Sequence, residues 1–292
     1  MKKLKVAILG SGNIGTDLLV KALRSPYLEC TFFIGRNLLS PGMTKASGLG
    51  VRISSLGIEA IEKEPESCDL VFDATSAMDH KRHWQILDKL GKTVIDMTPS
   101  KIGRMCIPAI NLEECLVDRH VNMVTCGGQA SIPLAYLIGK TQGPVEYIEV
   151  VSSIASRSSG PATRLNIDEY VETTEEGLRF FSGCERAKTI LIQNPAVPCV
   201  DMQTTVFVRI KSPDLEALAV EAERMVGKIK TYVPGYRLVA PPLVENGRLM
   251  IMIKVQGLGD YLPKYAGNLD IINCAAIAMA EGYARRFAEV SA

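Results

Sequence analysis

The sequence predicts an α/β protein: a Rossmann-type doubly wound parallel sheet with a second α+β catalytic and dimerisation domain. Three observations carry this. Short apolar runs alternate with helical periodicity over the first third of the chain, at 5–9, 15–24 and 30–34, which is the rhythm of βαβ units. A G-x-G-x-x-G sequence, Gly10-Ser11-Gly12-Asn13-Ile14-Gly15, stands between the first strand and the first helix. Past residue 131 the strands lengthen and the helices between them become fewer, with strands at 145–154, 189–192, 205–210 and 249–255.

Further strands at 70–74, 93–97 and 122–125, with a helix at 79–90 between the first two, complete the parallel sheet. In the second domain one helix starts at Asn166, where Glu169 three residues on makes a capping-box pattern, and another spans 214–229. The alanine-rich stretch 268–290 reads as a helix whose small side chains pack on the first domain. The domains are therefore 1–130 plus 269–292 and 131–268, in line with ~150 residues per domain. The apolar run 249–255 suits a buried sheet or a dimer interface.

Composition excludes several classes. Lys plus Arg number 33 against 32 Asp plus Glu, so no basic field attracts nucleic acid or anionic lipid. No apolar run approaches the ~20 residues of a membrane span, and the chain opens directly into a strand, which points to a cytoplasmic protein. The eight cysteines include no C-x-x-C pair, which argues against a structural metal and against a disulfide framework.

Two motifs carry chemistry. In the strand–turn–helix context, Gly10, Ser11, Gly12, Asn13, Ile14 and Gly15 predict a dinucleotide pyrophosphate at the helix N-terminus. The second strand of such folds normally ends in a carboxylate that bonds the adenosine ribose. Here the stretch is Phe33-Ile34-Gly35-Arg36-Asn37, with no acid, and Arg36 can face a 2'-phosphate, so NADP is admitted beside NAD. Cys126 ends the apolar run 121–126 and opens into Gly127-Gly128-Gln129-Ala130-Ser131-Ile132-Pro133. Ser131 is expected to cap the next helix, with Pro133 in its first turn, which leaves the thiol beside free backbone N–H groups. A helix N-terminus can lower a cysteine from ~8.5 to roughly 3.5–7.5, giving a nucleophilic thiolate. Ordinary cysteines are buried hydrophobes, but this sequence context favours the nucleophile.

A polar loop, 156–166, carries two arginines and four hydroxyls and reads as ligand-contacting. His80 and His83 share a helical face and His120 precedes the cysteine strand; solvated or stacking roles are expected for the first two. Asp17 reads as a first-turn carboxylate favoured by the helix dipole.

Four stretches, 10–17, 122–130, 159–169 and 261–271, together resemble the acylating acetaldehyde dehydrogenases, the aldolase-associated type, over nearly the whole chain. The resemblance implies aldehyde, NAD and coenzyme A as reactants, with Cys126 carrying the acyl-thioester; the oxyanion of each tetrahedral state would then need donors from backbone N–H groups near 127–129. It implies that Ser11, Gly12, Asn13, Ile14, Ser158, Ser159, Gly160, Pro161, Ala162, Thr163, Arg164, Leu165, Asn166 and Asn268 contact the cofactor. It further implies a homodimer, a 4-hydroxy-2-oxoacid aldolase partner and a place in aromatic hydrocarbon catabolism. One departure touches catalysis: Thr204 stands where the family has an aspartate, and Asp201, three positions upstream, points to the other face of a regular strand. Alternatives are an NADPH-dependent reductase of another CoA- or carrier-bound acyl group, a phosphate-dependent semialdehyde dehydrogenase, for which a histidine in the second domain is wanted, and a non-catalytic dinucleotide-binding subunit of an aldolase.

Overall fold

The computed structural model describes residues 3–160, 163–164 and 166–290; Pro161, Ala162 and Leu165, three of the expected cofactor contacts, lie outside the described residues. The chain forms two compact units, 1–123 with 273–292 and 124–272. These limits differ by a few residues from the expected 130/131 and 268/269, and they assign Cys126 and its whole helix to the second unit.

The first unit runs β1 (Leu4–Leu9), α1 (Asn13–Arg24), β2 (Leu28–Ile34), α2 (Pro41–Gly48), β3 (Ile53–Ser54), α3 (Glu59–Lys63), β4 (Leu70–Asp73), α4 (Ala77–Lys89), β5 (Thr93–Asp96), β6 (Arg104–Met105), α5 (Pro108–Cys115) and β7 (His120–Asn122). Its sheet is parallel throughout, in the order β3-β2-β1-β4-β5-β7-β6. β4 and β5 are buried at every position, as strands covered on both faces by crossover helices must be. Ser40 and Ser76 start α2 and α4 by accepting hydrogen bonds from Met43 and Asp79 backbone N–H groups. The order reverses between β1 and β4, the switch point at which open α/β sheets bind ligands. Asp17 departs from the first-turn reading. It lies in the body of α1, fully buried, paired with Lys21 at 2.9 Å and accepting from Asn273 at 2.8 Å. Two buried charges are tolerable there because each has a close partner.

The second unit runs α6 (Cys126–Thr141), β8 (Tyr147–Ala155), α7 (Ile167–Ser182), β9 (Arg186–Asn194), β10 (Met202–Arg209), α8 (Leu215–Lys230), β11 (Tyr236–Leu238), β12 (Leu243–Glu245) and β13 (Arg248–Val255). The last helix, α9 (Gly267–Val290), begins in this unit and continues into the first. The sheet order is β11-β13-β10-β8-β9, antiparallel except for the β8–β9 pair that α7 connects, with β12 paired to β13. β8 alternates buried and half-buried residues, and α6 packs against α7, α8 and β10.

The strand expected at 122–125 ends instead at Asn122, because Val124 adopts φ +59° and breaks the extended run. Asn166 does occupy the N-cap of α7, but its side chain makes no capping bond, so the expected capping box is not formed. Fully buried Tyr236 donates its hydroxyl to the Ala130 carbonyl at 2.7 Å and so ties β11 to α6. Tyr236→Phe is expected to cost about 0.5–1.5 kcal/mol, read as a lower denaturant midpoint at unchanged slope.

Candidate active site

At the switch point, Gly10 has φ +120°, and a Cβ there would lie 2.4 Å from the Ala74 carbonyl oxygen. Only glycine lets the loops after β1 and β4 approach this closely. Around Gly12 a Cβ would meet nothing within 4 Å, and Gly12 caps α1 with no side-chain bond. The start of α1 is thus open beside Gly12, and since first-turn N–H groups of a helix lack intrahelical partners, this end of α1 fits a pyrophosphate. Gly15 is buried behind this loop and Ser11 beside it is half-buried, its hydroxyl 3.3 Å from that of Ser40. Arg36 is exposed past the end of β2, and the Asn37 side chain accepts from Leu39 N–H at 2.9 Å, so the place usually held by a ribose-binding acid is taken up by a local turn.

In the second unit, Cys126 is the first residue of α6, not the last of a strand. The cap is Thr125, whose Oγ1 accepts from Gly128 N–H at 2.8 Å; the expected cap, Ser131, lies inside the helix and donates to the Gly127 carbonyl at 2.7 Å. Gln129 N–H donates to the Thr125 carbonyl at 2.8 Å. Of the backbone donors expected at 127–129, two are thus engaged in the helix start, and the N–H groups directed at the sulfur are those of Cys126 and Gly127.

The half-buried Cys126 thiol is pushed up to about 11 by desolvation, against the pull of those two N–H groups and of the Tyr170 hydroxyl. This corrects the expectation of a thiolate: loss of water outweighs the helix end. Tyr170, in α7, was not singled out from the sequence. Its hydroxyl occupies the volume a side chain at position 127 would need, 1.9 Å from an ideal Cβ, and Ser152 Oγ lies 3.4 Å from the same point. Ser152 in turn bonds Thr204 at 2.9 Å across the β8–β10 ladder. Asp201 pairs with Lys254 at 3.2 Å.

The loop after β8 is a short 3-10 turn. Ser158 donates to the Ala155 carbonyl at 2.8 Å, and the Arg164 guanidinium folds back onto the Ser159 and Ser156 carbonyls. Gly160, Thr163 and Asn166 line the same loop, half-buried. Among the buried polar groups without a hydrogen-bond partner are the Ser159 hydroxyl and both ends of the Asn268 carboxamide. Each such group costs about 1–3 kcal/mol unless a polar partner, water or ligand, meets it.

The histidines are neither solvated nor merely stacked. Asp73, at the end of β4, accepts from His80 and His83 at 2.8 Å, and its carboxyl is held well below the usual range by them despite burial. His80 Nε2 meets His120 Nε2 at 2.9 Å and Asp96 at 3.3 Å, and His120 stacks on Trp84. One atom each from His80, Asp96 and His120 lie within 4.8 Å of one another, a spacing that this hydrogen-bonded network explains by itself.

A parallel sheet with a glycine loop at its switch point, together with a cysteine heading a helix in a second unit, defines a nicotinamide-dependent oxidoreductase acting on aldehydes. The family model described as semialdehyde dehydrogenase, NAD binding domain, matches residues 5–114, and that described as prokaryotic acetaldehyde dehydrogenase, dimerisation, matches 126–263. An acetaldehyde dehydrogenase of Spirochaeta aurantia is 59% identical over 97% of this chain and 96% of its own, and one of Pectobacterium atrosepticum is 59% identical over 96% and 95%. The chain belongs to the acetaldehyde dehydrogenase family. Aspartate semialdehyde dehydrogenase II of Vibrio cholerae, complexed with ASA, shares the fold with a TM-score of 0.66 at 14% identity, covering 98% of this chain and 100% of that one. The enzyme from Candida albicans with NADP does so with a TM-score of 0.65 at 11% identity, covering 96% and 100%. All three histidines belong to the first unit, so the histidine wanted for semialdehyde chemistry is not in the second. No described helix is long and apolar enough to cross a membrane.

Gly10→Ala is expected to weaken NADH or NADPH binding at least about 10-fold, read by cofactor fluorescence, since the added methyl forces apart the loops that form the cradle. Alkylation of Cys126 in the ligand-free protein is expected to be slow at pH 7, where only on the order of one thiol in ten thousand is ionised, and to climb about tenfold per pH unit toward 11. A rate that levels off below pH 8 would contradict the desolvated thiol.

Proposed function

We propose that the protein is an acylating aldehyde dehydrogenase, converting aldehyde, NAD(P) and coenzyme A to acyl-CoA and NAD(P)H through an acyl-thioester on Cys126. The observation that carries this reading is Cys126 at the first position of a helix, with two backbone N–H groups and a hydroxyl converging on its sulfur. Bound NAD(P) supplies the hydride acceptor. Cys126 Sγ adds to the aldehyde carbon to give a thiohemiacetal; loss of hydride and of the hydroxyl proton leaves the thioester, and the CoA thiol displaces Cys126. Once the sulfur is bonded to carbon, the N–H groups at 126 and 127 are suited to hold the oxygen in both tetrahedral states.

The open first turn of α1 is read as the pyrophosphate cradle, and Ser159 and Asn268 as groups that meet polar parts of the cofactor. The exposed Arg36 in place of a ribose-binding carboxylate supports acceptance of NADP beside NAD. A homodimer fits the matched dimerisation family and β9, which lies at the sheet edge with exposed Ile190 and Ile192. An aldolase partner and a cytoplasmic location rest on the family resemblance and on composition respectively.

The test is intact-protein mass spectrometry after incubation with acetyl-CoA and longer acyl-CoAs. An acyl adduct that is consumed by NADH or NADPH and absent in Cys126→Ala is expected. A folded, cofactor-binding protein that acquires no adduct from any thioester would refute the acylating reading.

A further inference from the structure

The Tyr170 side chain is out of place for a hydrophobic core. It is 94% buried, its 6% exposure leaving the hydroxyl no water, and that hydroxyl makes no hydrogen bond of full geometry, its polar neighbours being Cys126 and Ser152. Leaving a buried phenol unmet is costly, and a phenylalanine would fill the same volume without that cost. The hydroxyl nevertheless sits against the Cα of Gly127, one residue from the nucleophile, in space that exists only because position 127 has no Cβ. Beside it lies Ser152, 3.4 Å from the same Cβ position and bonded to Thr204, so hydroxyls from α7, β8 and β10 line up next to Gly127.

We propose that Tyr170 is a positioning residue whose hydroxyl donates to Cys126 Sγ and stabilises the sulfur once it is ionised. The direction of donation follows from burial, which raises the phenol well above its ordinary value and keeps its proton in place. A protonated phenol beside a thiol gains its hydrogen bond fully once the sulfur is ionised, because an anionic acceptor roughly doubles the strength of such a bond. The Ser152–Thr204 pair orients the phenol from behind. The influences acting on the sulfur are burial, the N–H groups of residues 126 and 127, and this hydroxyl.

The proposal rests on Cys126 being the nucleophile. Its test reads the sulfur alone, so a protein that fails to make acyl-CoA would sink the proposed reaction without deciding the role of Tyr170. Iodoacetamide alkylation of Cys126 is followed by peptide mass spectrometry from pH 7 to 10 in wild type, Tyr170→Phe and Ser152→Ala, with thermal unfolding recorded for each. Tyr170→Phe should alkylate about 10- to 100-fold more slowly at each pH, the effect of one lost hydrogen bond to a charged group. Ser152→Ala should move the rate in the same direction by less. Alkylation profiles that superimpose on wild type in the variants that fold would overturn the proposal, because a purely packing role for Tyr170 leaves the sulfur's ionisation untouched.

Discussion

One backbone bend controls the candidate active site. Between Asn122, the end of β7, and Cys126, the start of α6, the chain must stop being a strand and begin a helix within three residues. Val124 does this by adopting φ +59°, a region that a β-branched residue enters only at a cost of about 1–3 kcal/mol. Thr125 then stays extended and turns its hydroxyl onto Gly128 N–H, so the helix is capped one residue before the cysteine. The sulfur therefore stands at the first helical position, where backbone donors have no intrahelical partner. A relaxed Val124 would carry the strand onward and remove the cysteine from those donors.

Placing a thiol at such a point does not by itself ionise it. A helix terminus contributes about 0.3–1 kcal/mol, up to ~2 when partly buried, which is at most roughly 1.5 pKa units. Desolvation of a buried group shifts a pKa by up to 3–5 units. Here the second effect wins, and the thiol is raised to about 11. The consequence is a thiol that rests protonated near neutral pH and depends on nearby donors for its ionisation.

Much of this architecture was legible along the chain because it is local. Periodicity located β1, α1, β2, β4, β5 and α4 to within a few residues, and the glycine motif found its turn because strand, glycines and helix are contiguous in sequence. The helix that follows the Cys126-Gly127-Gly128 stretch was placed for the same reason. Its cap was misplaced because Ser131 and Thr125 are both good N-cap residues and the choice between them hangs on Val124, whose positive φ no propensity announces. Tyr170 was missed because it reaches Gly127 from a helix more than 40 positions later, and the need for glycine at 127 is visible only once the phenol is in place. The buried state of His80 has the same origin, since Asp73, Asp96 and His120 come from three separate strands.

Thr204 changes what the interior of the second unit can do with a proton. A carboxylate at that fully buried position would have its pKa raised by desolvation and could accept the thiol proton, as a general base does. A threonine cannot accept a net proton near neutral pH, and neither can Ser152 or a phenol whose own pKa is raised. Three hydroxyls in series can align their dipoles and stabilise an anion at one end, but the proton released by the sulfur has to leave by another route. On the proposed mechanism the arrangement would therefore stabilise the product of ionisation without acting as its base, so ionisation of the thiol would carry the pH dependence.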